Sequence, residues 1–349
     1  AIDVPSLDVW DMLYVKLNEA AHVLYQDENG VELERSSDFV GHTGEKINYS
    51  TKETIANYLK KGYELVENGF DADGQPNFDR DATNTNDDGV QDFNVRLEPK
   101  ILEFASTQPI QPGQVVPGDS EGRVYPTPLA PAGQTTADLN HLSETVTRTV
   151  TYVTEDQDGS NRQPAGIADQ TDSLHFTRKG TINLVTGETS LEDWTAQDGT
   201  SFAALENPVK KGYVVVAEES TDATSSDLTK AGEHTGIHAD AADITDTVIY
   251  RPVRAYRISY ATGKEPAHAQ KEIPYLNDPT TPTAIASPTA ILPYVEGLEP
   301  KDARGQVLNL VDPLDETKGY LLPSPESPTA DTAISYAIAK GSVRVRFLT

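Results

Sequence analysis

The residues best placed to do chemistry lie in an acidic run. Asn84-Thr85-Asn86-Asp87-Asp88-Gly89-Val90-Gln91-Asp92 sets side-chain oxygens at alternate positions, then a glycine for a sharp turn, then a further Asp. That spacing resembles the first half of a calcium loop, in which a hard cation gathers oxygen ligands from a tight turn. Asn84, Asn86, Asp88 and Asp92 are the candidate Ca2+ ligands. Asn84 stands where such loops usually carry Asp, and no bidentate Glu follows at the far end of the loop. A solvated polar loop running into a strand fits the same residues.

A second group could bind sugar. Aromatic faces meet the C–H faces of pyranose rings at little rotamer cost, which makes Trp194, Tyr213 and Tyr63 candidate glycan-binding residues. The tyrosines also suit strand positions in a core, and both readings stay open. His234 and His238 have helical spacing but sit in a Gly-, Asp- and Ala-rich loop without an HExxH pattern, so they read as loop histidines rather than zinc ligands. No GxSxG is present, and small modules rarely form the cleft that a carboxylate pair needs for glycoside hydrolysis. No catalytic residues and no enzyme activity are expected, and no residue trio singles itself out for a Lys–Asn isopeptide bond.

What must position these residues is a repeated unit. Lys61-Gly62-Tyr63, Lys211-Gly212-Tyr213 and Lys318-Gly319-Tyr320 each place a Gly where a positive φ ends a helix or turn and a Tyr where a strand begins. Upstream, His22 to Gly30 and Thr151 to Gly159 read as first hairpins, with Ile258 to Gly263 as a weaker copy. Downstream, the alternating runs Phe93–Leu97, Thr247–Tyr250 and Val343–Phe347 read as closing strands with one wet face. Only the first unit shows a helix, over Thr54–Lys60, with Ser50 or Thr51 as caps and Ile55, Tyr58 and Leu59 on one face. Hairpin, helix and returning strand make an α+β unit of the β-grasp kind.

The resulting expectation is an α+β, β-rich chain of tandem β-grasp (ubiquitin-like) modules in an elongated arrangement. Residues 1–99 form the first module, 100–142 a stiff Pro-rich connection, 143–253 the second module and 254–349 a third, divergent β-rich module.

Composition agrees with an exposed β protein. The chain of 349 residues has no Cys, and its 37% hydrophobic content lies below the ~45–50% of typical domains. A net charge of −27 argues against nucleic acid and against anionic lipid. No apolar run approaches the ~20 residues needed to span a bilayer. The ends carry neither a signal-peptide pattern nor a sorting signal, so the chain reads as a fragment of a longer one.

The ordered series of short motifs resembles the mucus-binding repeats and mucin-binding-protein domains of Gram-positive bacterial surface adhesins. In the first module the resemblance runs through Val23–Gly30, Phe39–Glu45 and Lys61–Val66; in the second, through Val146–Val153, Leu174–Arg178, Trp194–Ala196, Phe202–Ala204 and Val209–Tyr213. It is good over roughly 22–98 and 141–253 and poor beyond. The resemblance implies a wall-anchored, extracellular, repetitive adhesin fragment, monomeric, that binds mucin or other host glycoproteins multivalently. It also implies possible association with immunoglobulins. A structural spacer extending a distal domain from the wall is the alternative role.

Overall fold

Period-two alternation becomes strands in every unit, and the computed structural model describes residues 18–71, 76–78 and 89–341. In the first module the opening strand Asn18–Gln26 lies parallel to the closing strand Val90–Pro99, with His22 opposite Asp92 and Tyr25 opposite Val95. The strand Tyr63–Asn68 runs antiparallel along the other side of the closing strand and forms one edge of the sheet. Glu32–Arg35 completes the first hairpin beyond a turn in which Gly30 takes φ +78°.

One α-helix occurs among the described residues, Lys52–Lys60, close to where its apolar stripe predicts it. Ile55 and Tyr58 are buried on the sheet, and Tyr58 meets Tyr63 edge-on at 5.4 Å between centroids. Of the two expected caps, Ser50 Oγ accepts from the Lys52 N–H at 3.4 Å, whereas Thr51 does not cap. Thr51 is fully buried, and its hydroxyl donates to Asp71 at 3.1 Å and accepts from Asn68 Nδ2 at 2.9 Å, so it bonds no N–H of its own first turn.

The second module repeats the plan without the helix. Its opening strand Ser143–Thr154 is parallel to the closing strand Ile244–Pro252, and Tyr213–Ser220 forms the antiparallel edge. Both edge strands bulge at the same place, two residues after their tyrosine: the register slips between Leu65 and Glu67, and between Val215 and Ala217. That shared irregularity fixes the equivalence of Leu65 with Val215 and of Leu97 with Tyr250.

In the third module Ala255–Tyr260 again pairs in parallel with a later strand, Thr332–Ile338. This strand occupies the closing place, with Ile334 and Tyr336 each 1% exposed. Val343–Phe347, expected to close the unit, lies outside the described residues. The third Lys-Gly-Tyr begins a strand of only two residues, Tyr320–Leu321, which pairs with Ile291–Leu292. Leu298–Lys301 instead borders the closing strand.

The Pro-rich segment 100–142 is ordered as part of a folded body. Its strand Ile101–Phe104 pairs with Gly180–Asn183, and Ile110, Val116, Tyr125, Leu139 and Leu142 bury with Phe104, Ile182 and Leu184 in one cluster. Proline fixes extended backbone without preventing apolar side chains from converging, which is why a reading of stiffness alone misses this core. Two compact units result: Ala1–Ser143 with Thr177–Thr195, and Glu144–Phe176 with Ala196–Thr349. Among the described residues no helix is long and apolar enough to cross a membrane.

Candidate functional site

Trp194 lies in a short segment after the strand Thr189–Leu191 and is half-buried. The Arg178 guanidinium stands 4.4 Å from its ring centroid, and the His141 ring meets it edge-on at 5.5 Å. Arg178 is anchored by its own hydrogen bonds: Nε donates to the His141 carbonyl at 2.8 Å and one terminal nitrogen to the Asp138 carbonyl at 3.3 Å. A cation over an indole face is attracted by the ring quadrupole, more so when partly desolvated. Thr135 donates from its backbone and its hydroxyl to Asp138, holding that carboxyl below its usual range, with the Arg178 and His141 charges adding to the effect. The result is a fixed aromatic plate flanked by donors, which can stack on a sugar ring and bond its hydroxyls. Arg178 and His141 gather at Trp194 from outside its own segment. Neither Arg178 nor His141 carried a periodic signal, because both approach Trp194 from loops.

Tyr63 and Tyr213 begin strands, as predicted, and both rings pack on the cores of their modules. Burial pushes the Tyr63 hydroxyl pKa up, and the charges of Asp27 and Glu28 push it further. Lys210 lies 5.1 Å from the Tyr213 ring centroid. Their backbones are more distinctive. The Tyr63 carbonyl accepts from Arg123 Nε and from a terminal nitrogen at 3.1 and 3.0 Å, while the Tyr213 carbonyl accepts from Asn277 Nδ2 at 2.5 Å.

Asn84, Asn86 and Asp88 lie outside the described residues. Asp92 does not: its side chain is 1% exposed and accepts from His22 Nε2 at 2.5 Å, while His22 Nδ1 lies 3.1 Å from Asp38. Its carboxylate thus faces a histidine inside the module, and the calcium reading rests on the other residues. Among the described residues no cluster of His, Cys, Asp and Glu could hold a metal ion.

His234 and His238 part company. His238 is exposed, whereas His234 is buried, with Nδ1 2.7 Å from Asp222 and Nε2 2.9 Å from the buried Asp246. Asp246 also accepts from Ser220 Oγ at 2.6 Å. Arg148, fully buried, donates to Asp172 at 2.5 Å and to the Gly232 carbonyl at 3.1 Å, and its plane lies over Phe202. The signal for these groups is in the sequence: Arg148 shares the inward parity of Val146, Val150 and Tyr152, and Asp246 that of Ile244, Val248 and Tyr250.

Residues 19–98 match a family described as a mucin binding domain, and residues 137–254 match a Muc B2-like domain, together more than half of the chain. The chain belongs to the mucus-binding domain family. Mucus-binding domains are binding modules. Among solved structures the chain is similar to Mub-RV, with 25% identity over 67% of this chain and 98% of that one and a TM-score of 0.40. It is also similar to the type 2 repeat of the mucus binding protein MUB from Lactobacillus reuteri, at 26% identity over 67% and 99%, with a TM-score of 0.31. A third similarity is to the mucin-binding domain of Spr1345 from Streptococcus pneumoniae, at 19% identity over 32% and 92%, with a TM-score of 0.24. No curated protein matches the chain.

Proposed function

We propose that this chain is a repeat fragment of an extracellular, wall-anchored bacterial adhesin that binds mucin glycans through shallow surfaces, built on tandem β-grasp modules. The observation that supports this reading is the Trp194 plate with its anchored Arg178, set in a chain that matches two mucus-binding domain families. A net charge of −27 removes long-range attraction to sialylated or sulfated mucus, so affinity rests on local stacking and donation. One such plate binds weakly, and avidity from many copies on a long chain supplies retention.

Retention of the fragment on immobilised mucin tests the reading. We expect Trp194→Ala and enzymatic deglycosylation of the mucin each to lower retention several-fold, without further loss in combination. Undiminished retention on deglycosylated mucin overturns the glycan assignment.

A further inference from the structure

The two Lys-Gly-Tyr edges are built alike but are not covered alike. In the second module, a loop of the third module is seated on the edge. The Gly212 N–H donates to Asn277 Oδ1 at 2.6 Å, the Tyr213 carbonyl accepts from Asn277 Nδ2, and the Val215 N–H donates to the Pro282 carbonyl at 3.0 Å. The seated segment reads Asn277-Asp278-Pro279-Thr280-Thr281-Pro282-Thr283, and Pro282 is buried. Asp278 holds its shape by accepting from the Thr280 and Thr281 N–H groups at 2.8 and 2.9 Å.

In the first module the same corner is only partly satisfied. The Gly62 N–H goes to the Leu59 carbonyl and the Tyr63 carbonyl to Arg123. The Lys100 N–H donates to the Gly62 carbonyl, as the Val253 N–H does to that of Gly212. Because hydrogen-bonded and non-bonded pairs alternate along an antiparallel ladder, the Leu65 backbone groups point out of the sheet edge, as those of Val215 do. No described residue takes the Leu65 N–H. Beside it Leu65 is 41% and Val66 49% exposed. Glu64 is paired with Lys100 at 2.7 Å, and Glu67 is exposed, so the rim is mildly acidic. It suits an uncharged chain better than a sialylated one.

We propose that the Tyr63–Asn68 edge binds an extended, uncharged Thr/Pro-rich polypeptide, of the kind that forms the backbone of mucin-type stalks. The Leu65 N–H takes a backbone carbonyl of that polypeptide, and Leu65 and Val66 take its Pro rings and Thr methyls. The occupant is argued from the second module, where a Thr-Pro-Thr carbonyl of the chain itself already fills the equivalent site. Unpaired edges commonly recruit extended peptides in this way. The inference rests on the mucin-adhesion reading and adds the protein backbone as a second recognised feature beside the glycan.

The experiment titrates an unglycosylated, fluorophore-labelled peptide carrying repeated Thr-Thr-Pro-Thr into the whole fragment, with hydrogen exchange followed at the first-module edge. We expect saturable binding and slowed exchange at Leu65. Leu65→Pro, which deletes the outward N–H, and Val66→Lys should each weaken binding about ten-fold, as expected for one hydrogen bond with its apolar contact. Circular dichroism should stay unchanged in at least one of the two variants, and Trp194→Ala should bind the peptide normally. Absence of peptide binding overturns the inference, as does undiminished binding in a folded variant. Slowed exchange at Val215 instead of Leu65 overturns it too. So does concentration-dependent dimerisation abolished by Val66→Lys, since a second copy of the chain would then be the occupant. If the peptide fails while intact mucin is still retained through Trp194, only this inference falls. If the peptide binds but mucin is not retained, the adhesion reading falls.

Discussion

The first and second modules set the same strands in the same order but fill two equivalent inward positions with different chemistry. Where the first places Phe93 edge-on to Phe70 at 5.1 Å, the shared bulge register puts Asp246 in the second; where the first has Ala21, the second has Arg148. The backbone plan therefore follows from alternation and turn positions, and inward side chains of either chemistry can fill it. The two solutions differ in how they fail. An apolar contact degrades in proportion to the area lost, whereas a buried polar network leaves an uncompensated group when one member goes.

The largest effect expected from this contrast is at Asp246. Asp246→Ala strips His234 and Ser220 of their buried acceptor, and we predict a loss of about 3–5 kcal/mol in the second module. Phe93→Ala in the first should cost about 2 kcal/mol, since Phe93 is only partly buried. Hydrogen exchange of the strands Ile244–Pro252 and Val90–Pro99 reads the two losses separately. A larger loss at Phe93 would break the contrast.

A second contrast separates the two glycines. Both take positive φ, +103° at Gly62 and +82° at Gly212, but a Cβ on Gly62 would lie 2.4 Å from the Leu184 carbonyl oxygen, while one on Gly212 meets nothing within 4 Å. Gly212→Ala should cost only the left-handed penalty, about 1–2 kcal/mol. Gly62→Ala adds a backbone clash and should cost about 3 kcal/mol or more. Thermal unfolding of the two variants ranks them, and equal costs would mean that the Leu184 contact is easily relaxed.

These contrasts also show what was legible. Strand openings, the helix over Lys52–Lys60 and the tyrosine strand starts followed from periodicity and glycine placement, because those signals are local. The core formed by Ile110, Val116, Tyr125, Leu139 and Leu142 was not legible, since its partners Ile182 and Leu184 arrive from far along the chain. At the site, Trp194 could be picked out by residue type alone. Arg178 and His141 could not, because no spacing rule joins two loops. Asp92 shows the limit of spacing as a signal: its place on the closing strand, opposite His22, could not be read from the run of acidic residues.

The smallest expected effect concerns acid. Glu155, just after the opening strand of the second module, is 4% exposed and accepts from Arg162 at 2.6 and 2.9 Å and from Arg251 at 3.2 Å. The Arg162 hydrogen bonds hold its carboxyl below the usual glutamate range against the opposing pull of burial, and Arg251 adds to this. A carboxyl lowered on folding contributes stability that is fully present above its unfolded pKa and disappears as pH falls through the folded one. The second module should therefore lose stability below about pH 4.5, by under ~1 kcal/mol from this residue, because Arg162 is well exposed and the pair is screened. Glu155→Gln should flatten that part of the acid profile. At the corresponding turn of the first module Glu28 is exposed, and the opening strand of that module serves as the reference. Hydrogen exchange of the two opening strands across the acid range measures both, and equal responses would show that Glu155 draws no stability from its arginines.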